Sequence, residues 1–162
     1  IVIQKFAEAS QAAIAGALLA TMNTASEYGF GAVIAALPGF LVVAQAMQAI
    51  PNPLVNEAIS VTVLAGITGS ASGGMSIALG AMGDTFYQAA IARGIDPQVL
   101  HRVVAIACGG LDSLPHNGAV VTLLGITQLT HRQSYADIGM VSVVIPVSVC
   151  VIAIVLGTLG VV

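Results

Sequence analysis

An acid, a histidine, an amide and a proline sit inside the run ACGGLDSLPHNG (107–118), in a sequence otherwise apolar enough for a bilayer. Polar and ionisable groups at such depth are expensive and mark transport paths. Asp112 and His116 form its acid–imidazole pair. A spacing of four puts them on one face if the segment stays helical, whereas Pro115 favours a turn. Histidine changes charge near neutral pH, so His116 suits a proton carrier and Asp112 its partner or a second carrier. The other use of this pair is structural, capping the ends of a broken helix, with Asp112 accepting backbone N–H groups.

Two further polar interruptions, NTASEYGFG (23–31) and SASGG (70–74), break the apolar pattern. Each of the three is expected to precede a half-helix: NTAS before Gly31, SASGG before Met75 and PHNG before Ala119. Half-helix N-termini aim unpaired N–H groups at an anion, the way transporters hold carboxylates. Asn, Thr and Ser side chains there can bond a substrate hydroxyl without adding fixed charge. The alternative is close helix packing through Gly and Ser. Glu27 is a further proton candidate or a solvated loop carboxylate. Glu57, Asp96 and Asp137 fall at expected helix starts, where the macrodipole favours an acid, and receive no function. His101 and His131 adjoin arginines at expected membrane edges, which gives them surface roles.

The elements that must position these groups follow from composition. Hydrophobic residues make up 57% of the chain, charged residues 7%, and mean hydropathy is +1.01. A soluble domain has about a quarter of its residues charged. The intervals 58–83 and 138–162 each exceed the ~20 apolar residues that span a bilayer as a helix. The expected class is therefore an all-α polytopic membrane protein. IVIQKF carries no basic n-region with an apolar core and cleavage site, so no signal peptide is expected. The absence of an initiator methionine and the ending TLGVV suggest part of a longer protein. Cys108 and Cys150 match no metal or redox spacing and are read as packing residues, with no metal or other cofactor expected. The net charge of −3 is dispersed, without a like-charge run, which argues against nucleic acid as a partner.

Residues 1–162 form a single transmembrane region in this reading. Residues 9–50 make a re-entrant hairpin with its tip at 23–31, or two ordinary helices joined by a loop. A broken helix covers 57–82, interrupted at 70–74, and 83–94 is water-compatible. Asp96-Pro97 supplies an N-cap and a first helical proline, opening a second broken helix over 97–130 that stops at the 107–118 run, with Asn117 as the cap of its second half. A polar loop at 131–137 leads into a spanning helix at 138–162, with Pro146 as a possible kink. Arg93, Arg102 and Arg132 do not resolve orientation.

NTASEYGFGAVIAALPGF, GITGSASGGMSIAL and GGLDSLPHNGAVVTLLGITQLTH together resemble, in order, the C-terminal part of the gluconate permease (GntP) family. The resemblance runs from about Ala17 to Asp137 and is nearest to the D-β-hydroxybutyrate branch. It implies discontinuous transmembrane helices and re-entrant hairpins in two inverted repeats around a central site, as in the larger ion-transporter superfamily, with this chain mainly the second repeat. It also implies proton-coupled symport of a small hydroxy-carboxylate, D-3-hydroxybutyrate-like, across the bacterial inner membrane. Gluconate or another sugar acid is the alternative substrate. Carried onto this sequence, the substrate-binding residues are Asn23, Thr24, Ser26, Ser70, Ser72, Gly73, Gly74 and Asn117, and the proton-coupling residues Asp112 and His116. The implied partners are an organic anion, a proton, the lipid bilayer and the missing N-terminal repeat, with a homodimer as another way to complete the site.

An intramembrane enzyme using Ser113 or His116 is disfavoured, because the chain has no HExxH motif, no G-x-S-x-G elbow and no second histidine at helical spacing. A non-transporting scaffold would keep the three breaks as continuous helices facing lipid or neighbours. A transporter needs them converging on one polar cavity. A channel needs a continuous polar face, which the stretches between breaks do not offer.

Overall fold

The computed structural model describes residues 2–47 and 49–161; within its helices the side chains at 2–4, 27, 35, 41 and 44 fall outside the description. The expectation for the Glu27 side chain therefore lies outside the described residues. Among the described residues the chain is all helix, with eight α-helices, one π turn and no strand.

Helices α1 (Val2–Ala35) and α2 (Pro38–Met47) form a bent pair at 79°. The turn falls at 36–37, not at 23–31, through which α1 runs unbroken. Gly29 and Gly31 each cost a helix about 1 kcal/mol relative to Ala, but neither removes a backbone donor. Pro38 does remove one, and it pushes Leu37 out of helical geometry. The hydroxyls of Thr21 and Thr24 bond back to Ala17 O and Ala20 O at 2.8 and 2.9 Å, so they are satisfied inside α1.

Helix α3 (Pro53–Thr68) starts at Asn52, whose side chain accepts from Leu54 N at 3.0 Å and Val55 N at 3.2 Å, with Pro53 in the first turn. It ends at Gly69, held at φ 66°, a left-handed conformation that glycine adopts without a Cβ penalty. Helix α4 (Ala71–Ile91) follows at once, capped by Ser70. It continues past 82, so most of the water-compatible stretch is its last turns. Gly74 lies against the backbone of Ala65, and this contact seats α4 on α3. The core between them and α5 (Pro97–Ala107) includes Leu54, Val61, Leu64, Met82, Phe86 and Val103, all fully buried. Asp96 caps α5 by accepting from Gln98 N at 2.8 Å.

Residues 108–117 are irregular and lead into α6 (Gly118–Thr127). The expected loop at 131–137 is instead helical, as α7 (His131–Gly139). At its start, Gln133 Oε1 accepts from Thr130 N at 3.0 Å and from the Thr130 hydroxyl at 2.8 Å, which supplies a cap that the polar composition hid. A π turn (Met140–Val144) joins α7 to α8 (Ile145–Thr158). In this turn Ile145 N–H reaches back five residues to Met140 O, just where Pro146 has no donor to offer the preceding turn.

The continuous run His131–Thr158, 28 residues long and holding an 18-residue stretch of mean hydropathy 2.8, is long and apolar enough to cross a membrane. Only 6% of its apolar window is buried, so it faces lipid or further protein. The bent α1–α2 pair passes the same test as one span, while α3 and α6 are shorter apolar helices.

Candidate functional site

Two helix breaks meet at one amide. Asn117 is 2% exposed, and its Nδ2 donates to the carbonyl of Gly69 at 2.6 Å and to Asp112 Oδ1 at 2.8 Å. Its Oδ1 accepts from Val120 N at 3.0 Å, capping α6. One side chain thus uses both donors and its acceptor to join the end of α3, the 108–117 segment and the start of α6. Gly69 fits this junction twice over. Its φ is left-handed, and a Cβ there would lie 2.9 Å from His116 Cδ2.

A cavity of about 550 Å³ opens beside the junction, lined by Asn23, Ser26, Phe30, Thr68, His116 and Gly118 among others. The first turn of α6 thus borders it through Gly118. Asn23 is not at a helix start. It sits within α1 and donates through Nδ2 to Thr122 Oγ1 at 2.7 Å, pinning α1 to α6. A second cavity, about 410 Å³, lies against the 108–117 segment and is lined by Gly109, Asp112, Ser113, Asn117, Ser142 and Pro146 among others. Asp112 and His116 therefore face different cavities, because the segment between them is a series of turns and not a helix.

The remaining carried-over residues divide by position. Ser70 Oγ accepts from Gly73 N at 3.2 Å and caps α4, so Ser70 and Gly73 are engaged with each other. Gly74 is buried in helix packing, and Ser72 is exposed and lines none of the described cavities. Thr24 lines a separate depression with Ala20, Thr21 and Tyr28. Asn23, Ser26 and His116 thus come together at one cavity, with Asn117 holding its wall. Thr24, Ser70, Ser72, Gly73 and Gly74 do not line it.

Sequence reasoning missed several contributors. Thr68 lines the cavity while its hydroxyl bonds back to Leu64 O at 2.9 Å. Its place directly before the Gly69–Ser70 break was the available signal. The Tyr135 hydroxyl donates to Ser113 O at 2.8 Å, and His131 Nε2 lies 3.1 Å from Pro115 O. His131 is exposed, yet together with Tyr135 it holds the 108–117 segment from α7. Ser113 Oγ is buried without a hydrogen-bond partner among the described residues.

A comparison with protein-family models gives no match, and none of the solved structures matches. The chain is 58% identical over 132 residues to a protein of Bacillus subtilis (strain 168) named "Uncharacterized transporter YxjC". The aligned part is 81% of this chain and 28% of that relative, so the chain spans little more than a quarter of the relative's length.

Proposed function

We propose that this chain is part of a secondary transporter that carries a small hydroxy-carboxylate together with protons across the bacterial inner membrane. The likeness to a protein named as a transporter supports transport as the general role and speaks against an enzyme. The hydroxy-carboxylate and the proton rest on the three motifs that resemble the gluconate permease family. The observation that carries the reading is the junction of two broken helices by Asn117 beside a cavity lined by Asn23, Ser26 and His116.

In this mechanism the substrate carboxylate lies near the first turn of α6, where the macrodipole favours an anion. Its hydroxyl is read by Asn23 or Ser26, neither of which adds a fixed charge. His116 at the cavity wall supplies a proton or a compensating positive charge. Asp112, tied to the same junction through Asn117, is the second proton group, on the other cavity. Alternating access would open the cavity to one side and then the other, with the rest of the longer protein completing its wall.

A scaffold would keep the breaks as continuous helices. Two of the three are interrupted, at 69–70 and at 108–117, which favours transport. The test is uptake of labelled D-3-hydroxybutyrate and gluconate by proteoliposomes of the full-length protein under an imposed pH gradient, with His116→Ala and Asp112→Asn in parallel. Hydroxybutyrate uptake that collapses with the gradient and in His116→Ala is the expected result. Gluconate preference would move the substrate to the sugar acids, sodium-only uptake would overturn the proton, and no uptake of either would overturn the reading.

A further inference from the structure

Glu57 was assigned only a favourable helix-start charge by its position in the sequence, yet it is 2% exposed and its Oε2 has no hydrogen-bond partner among the described residues. It sits one turn into α3, beside two other buried polar residues of the same helix, Asn56 at 6% and Ser60 at 0% exposure. Those two are satisfied by each other and by the chain: Ser60 Oγ donates to Asn56 Oδ1 at 3.1 Å, and Asn56 Nδ2 reaches Ile50 O at 3.4 Å. Glu57 is the group of this cluster left with an unused oxygen.

Among the described residues, the helices packed on α3 bring no buried cation to Glu57. Among the described side chains of the helices packed on α3, Cys150 of α8 is a free cysteine that is likewise buried. Lys5 and Glu8 of α1, Asp84 of α4, and His101 and Arg102 of α5 are exposed, and α2 carries no charged residue. Burial penalises an unpaired charge, and a bound proton removes that charge from an enclosed carboxyl.

We infer that Glu57 is a third proton-binding group of the transporter beside His116 and Asp112, remote from the substrate cavity and joined to it by α3. The far end of the same helix is the Gly69 junction, about 18 Å along the axis at the usual rise per residue. A movement of α3 that changes the junction also changes the enclosure of Glu57, so proton release and cavity opening are linked through one rigid element. This extends the transport reading above and rests on it.

Two measurements on the full-length protein test the inference. In proteoliposomes, Glu57→Gln keeps the volume and removes the ionisable proton. It is expected to retain exchange of labelled D-3-hydroxybutyrate across equal pH and to lose accumulation driven by a pH gradient. Retained gradient-driven accumulation in Glu57→Gln would overturn the inference. The second measurement needs no substrate: a lipid-soluble carbodiimide, which attacks protonated carboxyls in apolar surroundings, is applied to wild-type membranes and the modified residue read by mass spectrometry. Labelling at Glu57 that declines as pH is raised is expected, and the absence of labelling there overturns the inference even if the variant does not fold. Failure of the transport reading has a different signature, wild-type vesicles that move neither hydroxybutyrate nor gluconate while Glu57 is still labelled.

Discussion

Asn117 and Gly69, 48 residues apart, are joined by a 2.6 Å hydrogen bond from the Asn117 amide to the Gly69 carbonyl. The bond closes one helix break on another, so neither interruption can shift without the other.

Asn117→Ala removes two donors and the α6 cap from a buried position. The expected loss is about 2–4 kcal/mol, from roughly 1–3 kcal/mol for each buried group left unsatisfied and ~1 for the cap. A lowered thermal midpoint of the purified full-length protein, with loss of uptake, checks it. Asn117→Asp keeps the Oδ1 cap but loses both donors and faces Asp112, so it should be no better than the alanine variant.

Gly69→Ala is expected to cost about 1–2 kcal/mol for the left-handed backbone alone. The added Cβ also meets His116, which must move from the cavity wall. Uptake should therefore fall by more than the stability loss explains, read as a raised KM beside a modest shift in thermal midpoint.

Gly74→Ala places a methyl group into the Ala65 backbone, which is not a flexible side-chain end and cannot swing away. Separation of α4 from α3 is expected, at a cost of at least about 1–3 kcal/mol. The contrasting variant, Gly80→Ala, meets nothing within 4 Å and should be neutral or slightly stabilising. Equal effects in the two thermal midpoints would contradict the packing.

Asn23 and Thr122 form a hydrogen bond between α1 and α6, so a double-mutant cycle with Asn23→Ala and Thr122→Val should return a coupling of about 0.5–1.5 kcal/mol. Additive effects would show that the two helices are held by other contacts.

The sequence announced helices where a single residue settles the local geometry. Asp96-Pro97 and Asn117 both cap where their chemistry says they should, because a cap needs only its own side chain and the next turn. It was misleading at 23–31 and at 131–137, where polar composition suggested loops. At 23–31 the Thr24 hydroxyl is absorbed by α1 and the Asn23 amide by α6, and composition carries no information about a partner 99 residues away. At 131–137 the spacing of Thr130 and Gln133 is the signal of the cap, and the density of polar residues hides it.

The site was legible to the same degree. His116, Asn117 and Asn23 stand out as polar residues in apolar surroundings. That Asp112 would face a different cavity from His116 depends on the turns between them, which spacing alone does not give. Glu57 was misread for the opposite reason: its sequence position fits a favourable end charge, and only the packing of neighbouring helices takes it out of contact with water.

The five-residue turn at Met140–Val144 makes the helix tolerant of a change in chain length at that one place. A π turn holds one residue more than the α-helix around it, so deleting a residue within 140–144 lets the helix close up with the faces of α7 and α8 still in phase. A deletion elsewhere in His131–Thr158 would rotate one end against the other by about 100°. Tyr135 and Cys150, which look inward from opposite sides of this turn, would then no longer do so together.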